Sequence, residues 1–219
     1  MNDARSKSRL AERKPGRPPA DGIDQRGRLL DAAVVSFAGH GIGTTSLRAL
    51  ARDAGVTPAM LNYYFGSKER LVEAVVAERL LPVLDTLKQR LAPQFERDCA
   101  SLIAAFVRGM HEIIEQHPWL PGLWVREVLS DGGRLRTVFL DRVASEMPQP
   151  LVRRFAKGQA DGELNDSLDP RLLFVSLIGL TMFPFAAAPV WRRVFDAGDI
   201  EISDMQAHAL ALLTGGIGP

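Results

Sequence analysis

The sequence predicts an all-α fold, and two observations support this prediction. Apolar residues recur at the three- and four-residue spacing of an amphipathic helix, as at Leu30, Ala33, Val34 and Phe37. Glycine, proline and N-capping serine or threonine residues separate these stretches where helices would begin and end. The 219 residues are 46% hydrophobic and 24% charged, which is typical of a globular protein with one or two hydrophobic cores.

Residues 1–23 are predicted to form a flexible basic arm. The first 20 residues contain six Lys or Arg and two acidic residues, although the net charge of the whole chain is only +1. Proline and glycine dominate residues 14–19, so this stretch is not expected to be helical. The arm is either a solvated tail or a nucleic-acid-binding extension, in which Arg17 of Gly16-Arg17-Pro18 would enter a narrow minor groove.

Two short helices joined by a tight turn are predicted after a first helix that begins near Asp24. The second helix has N-cap candidates at residues 44–46 and closes at Gly55. Thr57 and Pro58 begin the third helix, because Thr is a good N-cap and Pro is favoured at the first helical position. Two helices joined in this way form a helix-turn-helix, in which the second helix enters the major groove of DNA.

The third predicted helix has one face suited to a core and one suited to DNA. Leu61 and Phe65 are four residues apart and can pack inward. The opposite face presents Asn62 and Tyr63, whose amide and hydroxyl groups can bind base edges and phosphates. Lys68, at the start of a fourth helix, is placed to reach a phosphate.

Residues 41–71, GIGTTSLRALARDAGVTPAMLNYYFGSKERL, resemble the DNA-binding signature of the TetR/AcrR family of transcriptional regulators. The resemblance extends over residues 24–84 without a gap. The matching positions are Thr44, Thr45, Ala51, Ala54, Gly55, Val56, Leu61, Tyr64, Phe65, Lys68 and Leu71. The family usually has tyrosine directly after the leucine at position 61, where this chain has Asn62. Tyr63 is therefore the candidate for the phosphate contact of the family tyrosine.

The resemblance implies an N-terminal three-helix, helix-turn-helix DNA-binding domain over residues 24–84. A helical ligand-binding and dimerisation domain would follow over residues 85–219. It further implies a homodimer on a palindromic double-stranded DNA operator, acting as a repressor relieved by a small ligand. A regulator without a small-molecule ligand remains an alternative. The expected DNA contacts are Thr44, Thr45, Arg48, Thr57, Pro58, Ala59, Met60, Asn62, Tyr63, Tyr64 and Lys68, with Arg17 in the arm.

The C-terminal half contains apolar stripes that form either a core or the wall of a ligand cavity. One stripe runs from about Asp98 to His117 with helical periodicity. Aromatic and methionine side chains are the candidates to contact a small hydrophobic or aromatic effector, since ligand pockets are mostly apolar. They are Phe106, Met110, Trp119, Trp124, Phe139, Phe174, Met182 and Phe183.

The stretch from Leu172 to Trp191 has no charged residue and the length of a membrane span. Pro184 and Pro189 interrupt it, so we expect a buried helix of roughly 13–15 residues that ends near Pro184. In the resembling family the last two long helices pair between subunits, which would cover this helix in a soluble dimer. A membrane-associated helical protein is the alternative.

The sequence offers no catalytic, metal or cofactor motif. His111 and His117 are six residues apart and do not share a helix face, and the single cysteine, Cys99, lacks the spacing of a zinc site. We therefore expect neither an enzyme nor a metalloprotein. A single cysteine without an apolar leader fits a reducing compartment, so we expect a cytoplasmic protein.

Overall fold

The computed structural model describes residues 24–217, and all regular secondary structure within them is helical. The all-α fold is thereby confirmed. The basic arm predicted over residues 1–23, with its Arg17, lies outside the described residues.

Four helices form the N-terminal region: α1 (Gln25–His40), α2 (Leu47–Asp53), α3 (Pro58–Phe65) and α4 (Lys68–Val75). Each begins at a side-chain oxygen that accepts a backbone N–H of the first turn, as the N-cap preference predicts. These caps are Asp24, Ser46, Thr57 and Ser67. The turn between α2 and α3 contains Gly55 at φ +66°, a conformation that favours glycine.

The fourth helix continues without a break into the C-terminal half. A π-helical segment, Val76–Leu80, leads into α5 (Leu81–Leu91) and a short 3₁₀ turn, Ala92–Gln94. The boundary that we predict at residue 84 thus falls inside a continuous helical rod. This rod contributes side chains to both halves of the molecule.

The C-terminal half consists of helices packed around a central one. They are α6 (Cys99–Gln116), α7 (Leu120–Trp124), a π-helical segment (Val125–Leu129), α8 (Arg136–Arg142), α9 (Pro148–Ala160), α10 (Pro170–Ala186), α11 (Ala188–Val194) and α12 (Ile202–Ile217). The central helix is α6, which packs against α5, α9, α10 and α12. Its apolar stripe is buried in the core, including Leu102 and Phe106.

Two hydrophobic cores meet where α7 packs on α1. The N-terminal core is built mainly from α1 to α4, but it also contains Leu123 and Leu135 from the C-terminal half. The junction between the two halves is therefore a packed interior.

The helix predicted within residues 172–191 is α10, which ends two residues after Pro184, at Ala186. A proline in the last turn removes only one hydrogen bond, and Ala187 N still bonds Phe183 O at 2.9 Å. One face of α10 is buried in the chain, and the other exposes Leu172, Val175 and Phe183, on the side where the dimer partner is expected.

The apolar stretch is divided between two helices. Within residues 24–217, no single helix is long and apolar enough to cross a membrane, whereas α10 and α11 pass that test together across a bend of 71°.

Candidate nucleic-acid interface and effector cavity

The surface predicted to read DNA lies on α3. Leu61 and Phe65 are buried in the N-terminal core, which fixes the helix on α2 and α4. The opposite face is open to solvent, and Tyr63 is the most prominent side chain at 83% exposure. The exposed positions include Thr57, Pro58, Ala59, Met60, Asn62 and Tyr63. Tyr64 is half-buried, with its ring 5.2 Å from that of Tyr63.

The threonines before α2 differ in what they can offer to DNA. Thr44 is exposed, and its hydroxyl donates to the carbonyl oxygens of His40 and Gly41. Thr45 is buried, and its hydroxyl donates to the Gly41 carbonyl at 2.8 Å. This corrects the prediction for Thr45: its side chain braces the loop and has no surface to offer a phosphate. Arg48, the second residue of α2, is exposed.

An ion pair between Arg26 and Glu78 lies at the C-terminal end of α3. The guanidinium of Arg26 in α1 forms two hydrogen bonds with Glu78, one of them at 2.6 Å. The same guanidinium lies 5.2 Å from the centre of the Phe65 ring, within the range of a cation–π contact. The partners raise the pKa of Arg26 and lower that of Glu78, chiefly through their shared hydrogen bonds. Arg26 and Glu78 therefore support the orientation of α3 without belonging to its exposed face.

A partly enclosed apolar cavity of about 60 Å³ lies between α5, α6, α7, α8 and α10. Every residue that lines it is hydrophobic. They are Leu80, Val83, Leu84, Leu87, Met110, Ile113, Leu120, Leu123, Trp124, Val128, Leu135, Val138, Phe139, Val143, Met147, Phe174, Ile178 and Met182. Five of the eight predicted effector contacts are in this set, namely Met110, Trp124, Phe139, Phe174 and Met182.

The other three predicted effector contacts lie elsewhere. Phe106 is fully buried in the core, with its ring 6.1 Å from that of Phe174, and does not reach the cavity. Trp119 packs between the two hydrophobic cores. Phe183 points outward with 67% of its surface exposed. Helical periodicity shows which residues turn inward, but the separation of the helices decides which of them border empty space.

A groove on the surface adjoins the cavity. It has a volume of about 350 Å³ and shares Trp124, Phe139, Phe174, Ile178 and Met182 with the cavity wall. Its outer wall includes Val175 and Phe183 on the exposed face of α10. The cavity and the exposed face of α10 are therefore neighbours.

One buried carboxylate at the junction of the two halves was not predicted from the sequence. Glu127, in the π-helical segment Val125–Leu129, is 4% exposed and accepts the backbone N–H of Ile42 at 2.7 Å. In the sequence, Glu127 lies four residues after Leu123, so a helix would place its charged group on the same face as an apolar side chain.

Family models match two stretches of the chain. One, described as bacterial regulatory proteins of the tetR family, matches residues 29–75. The other, described as a tetracyclin repressor-like C-terminal domain, matches residues 100–214. The first contains the helix-turn-helix, and the second contains most of the cavity wall.

Similar proteins are transcriptional regulators. The HTH-type transcriptional repressor KstR2 of Rhodococcus jostii (strain RHA1) is 26% identical over 161 residues, covering 72% of this chain and 78% of its own length. The HTH-type transcriptional regulator BetI of Rhizobium meliloti (strain 1021) is 39% identical over 148 residues, covering 62% of this chain and 72% of its own.

The fold is shared with a solved structure. The ketosteroid transcriptional regulator KstR2 of Mycobacterium tuberculosis matches with a TM-score of 0.71 and 22% identity, over 91% of this chain and 98% of the other. The two family models together span the helix-turn-helix and more than half of the chain. This chain belongs to the TetR family of bacterial transcriptional regulators.

Proposed function

We propose that this protein is a repressor that binds a palindromic operator as a homodimer and is released by a small apolar effector. The exposed face of α3, supported from behind by Leu61 and Phe65, is the observation that supports DNA reading most directly. Asn62 and Met60 meet base edges, while Tyr63, Thr44 and Lys68 meet phosphates.

The unpartnered apolar face of α10 supports a homodimer. Leu172 and Val175 on α10 and Leu212 on α12 are exposed large hydrophobic residues, and a second copy of the chain would remove them from water. A twofold dimer presents two reading helices to successive major grooves, so the operator has two half-sites about one helical turn apart.

The cavity wall indicates the chemistry of the effector. Since every lining side chain is hydrophobic, the enclosed part of the effector presents carbon and no charge. Drug-sized ligand sites occupy roughly 300–1,000 Å³, so an effector of that size either extends into the adjoining groove or moves the helices around a cavity of about 60 Å³. The KstR2 relative is described as a ketosteroid regulator, which makes fused-ring compounds the first class to test.

Selection of bound sequences from random double-stranded DNA tests the DNA-binding part of the proposal. We expect an enriched palindrome, and analytical ultracentrifugation of the complex should show two chains on each duplex. An Asn62→Ala, Tyr63→Phe double variant, altered only on the exposed face of α3, should bind more weakly and lose the base preference at one position of each half-site while keeping its melting temperature. A pool without an enriched palindrome would contradict the proposal.

A thermal-shift series tests the effector. Ketosteroids and long-chain fatty acids, which have large apolar bodies, are compared with short carboxylates that lack one, because a ligand that binds only the folded state raises the melting temperature by mass action. We expect the compounds with large apolar bodies to raise it and the short carboxylates to leave it unchanged. Val143→Phe, which adds a ring inside the cavity, is the control that should abolish the shift. A regulator without a small-molecule ligand would show no shift with any compound.

A further inference from the structure

The carboxylate of Glu127 bridges two backbone segments that are far apart in the sequence. Its Oε1 accepts the N–H of Ile42 at 2.7 Å, and its Oε2 accepts the N–H of Arg134 at 3.1 Å. Only 4% of the Glu127 surface is exposed. A buried carboxylate with two amide donors is held strongly in place, because losing either donor leaves a charged oxygen without a partner.

On one side this carboxylate holds the loop that leads into the helix-turn-helix. Ile42 lies between α1 and α2, and the carbonyl of its neighbour Gly41 accepts hydrogen bonds from both the backbone N–H and the hydroxyl of Thr45. The next residue, Ser46, caps α2, which packs directly on α3. The position of the loop therefore determines where the reading helix begins.

On the other side the same segment forms part of the cavity wall. Trp124, three residues before Glu127, and Val128, directly after it, both line the cavity. The backbone carbonyl of Glu127 accepts the N–H of Leu135 at 3.0 Å, and Leu135 also lines the cavity. Residues on both sides of Glu127 therefore border the cavity.

The π-helical segment that contains Glu127 lies close against the loop after α1. Gly41 has φ +90°, and a Cβ built there would lie 3.1 Å from Arg126 Cδ and 3.2 Å from Glu127 Oε1. Arg126 also donates from Nε to the Ala38 carbonyl at 3.2 Å, in the last turn of α1. The π-helical segment thus holds both the end of α1 and the loop that follows it.

We propose that Glu127 is the positioning residue that couples the cavity to the reading helix, an inference that rests on the proposed effector response. An occupied cavity displaces Trp124 and Val128, which withdraws the Glu127 carboxylate from the N–H of Ile42. The loop before α2 is then released, and α3 loses the orientation that fits the operator. By linkage, operator binding weakens occupation of the cavity by the same factor.

The test uses the full chain and needs no identified effector. Val143→Phe, at the C-terminal end of α8, and Val83→Phe, in α5, each fill the cavity from outside the segment that contains Glu127. Operator affinity is measured for each variant in the native background and in combination with Glu127→Gln or Glu127→Ala. We expect filling to weaken operator binding at least tenfold in the native background and less than twofold in either Glu127 background. Glu163→Gln is the matched control, since Glu163 also accepts a backbone N–H, that of Cys99 at 2.8 Å. In the Glu163→Gln background, cavity filling should still weaken operator binding tenfold.

Hydrogen exchange supplies a readout that does not depend on DNA. The Ile42 amide should exchange at least tenfold faster in Glu127→Gln and in Val143→Phe, with the Cys99 amide unchanged. In Glu163→Gln the Cys99 amide should accelerate and the Ile42 amide should not. Melting temperatures measured in parallel identify the variants that fold. If Glu127→Ala or Val143→Phe does not fold, Glu127→Gln or Val83→Phe takes its place.

Three results would overturn the coupling role. Cavity filling could weaken operator binding equally with and without Glu127, it could leave operator binding unchanged in the native background, or it could leave the exchange of the Ile42 amide unaltered. Each of these results shows that the carboxylate transmits nothing, while the native protein still binds its operator. A failure of the proposed function appears earlier, as the absence of an enriched palindrome.

Discussion

The ammonium group of Lys68 donates to the carbonyl oxygen of Gly43 at 3.1 Å. This bond ties the first residue of α4 to the exposed loop before α2, 25 positions earlier in the chain. Thr44, the next residue in that loop, is exposed on the same border. The charge of Lys68 is thereby held beside the reading helix, at the place where we propose that a phosphate lies.

Replacing Lys68 by Ala should weaken operator binding about tenfold, roughly 1.4 kcal/mol. Because a homodimer carries two Lys68 side chains, two fewer released counterions should also reduce the slope of log K against log salt by about 1.8, at about 0.9 for each. The measurement is a titration of operator DNA at several salt concentrations. Lys157→Ala is the control, because Lys157 pairs with Asp161 on α9, in the C-terminal half. An unchanged slope in Lys68→Ala would show that Lys68 binds no phosphate.

Asn62 and Tyr63 should affect DNA binding in different ways. Asn62→Ala is expected to cost about 1–3 kcal/mol on the selected operator and to relax the base preference at one position of each half-site. Tyr63→Phe removes only a hydroxyl from an exposed ring, so it should weaken binding to all sequences equally. Affinities for the operator and its single-base variants decide this. If Asn62→Ala weakened binding to all sequences equally, Asn62 would contact the DNA backbone and not a base.

Local features explain why the helix-turn-helix could be predicted from the sequence. Thr57 and Ser67 cap the helices that follow them, and the oxygen of each cap lies within three residues of the N–H that it accepts. Leu61 and Phe65 face inward because helical spacing alone places them there. No long-range information is needed for these elements.

Features that depend on contacts between distant segments could not be predicted in this way. Glu127 acquires its role from Ile42, 85 positions away, and nothing near it in the sequence marks that partner. Thr45 and Thr44 are adjacent, yet only the fold shows that Thr45 turns inward. Likewise, Phe106 and Met110 lie on one apolar stripe, and the spacing of neighbouring helices leaves only Met110 beside the cavity.

Gly158 in α9 should not tolerate a side chain. A Cβ at this position would lie 2.3 Å from Cys99 Sγ, inside the core. Gly158→Ala is expected to lower the free energy of unfolding by about 1–3 kcal/mol through overpacking. Gly39→Ala, at an exposed helical position with no atom within 4 Å of the added Cβ, should raise it by about 0.5–1 kcal/mol. Urea titrations of both variants test this, and equal effects would contradict the close contact.

Cys99 should resist alkylation in the folded protein. Burial raises the pKa of its thiol to about 12, with Glu163 adding to the effect against the opposing charge of Arg154. The reactive thiolate is therefore scarce at pH 8, and the side chain is inaccessible. Iodoacetamide should label the protein only after denaturation, as mass spectrometry can show. Rapid labelling of the native protein would contradict the burial of Cys99.

Glu163 should make the protein sensitive to acid. The N–H of Cys99 and the guanidinium of Arg154 lower the pKa of the Glu163 carboxyl below its ordinary value of 4.5. A carboxyl whose pKa is depressed on folding stabilises the folded state above the unfolded pKa, and this contribution is lost as the pH falls through the folded pKa. Glu163→Gln should therefore reduce stability at pH 7 and flatten the decline below about pH 4.5. Urea unfolding at pH 7, 5, 4 and 3 measures both effects. The difference between the two proteins should shrink toward pH 3, because protonation gives Glu163 the neutral charge that glutamine has at every pH, and a constant difference would place the loss outside this carboxylate.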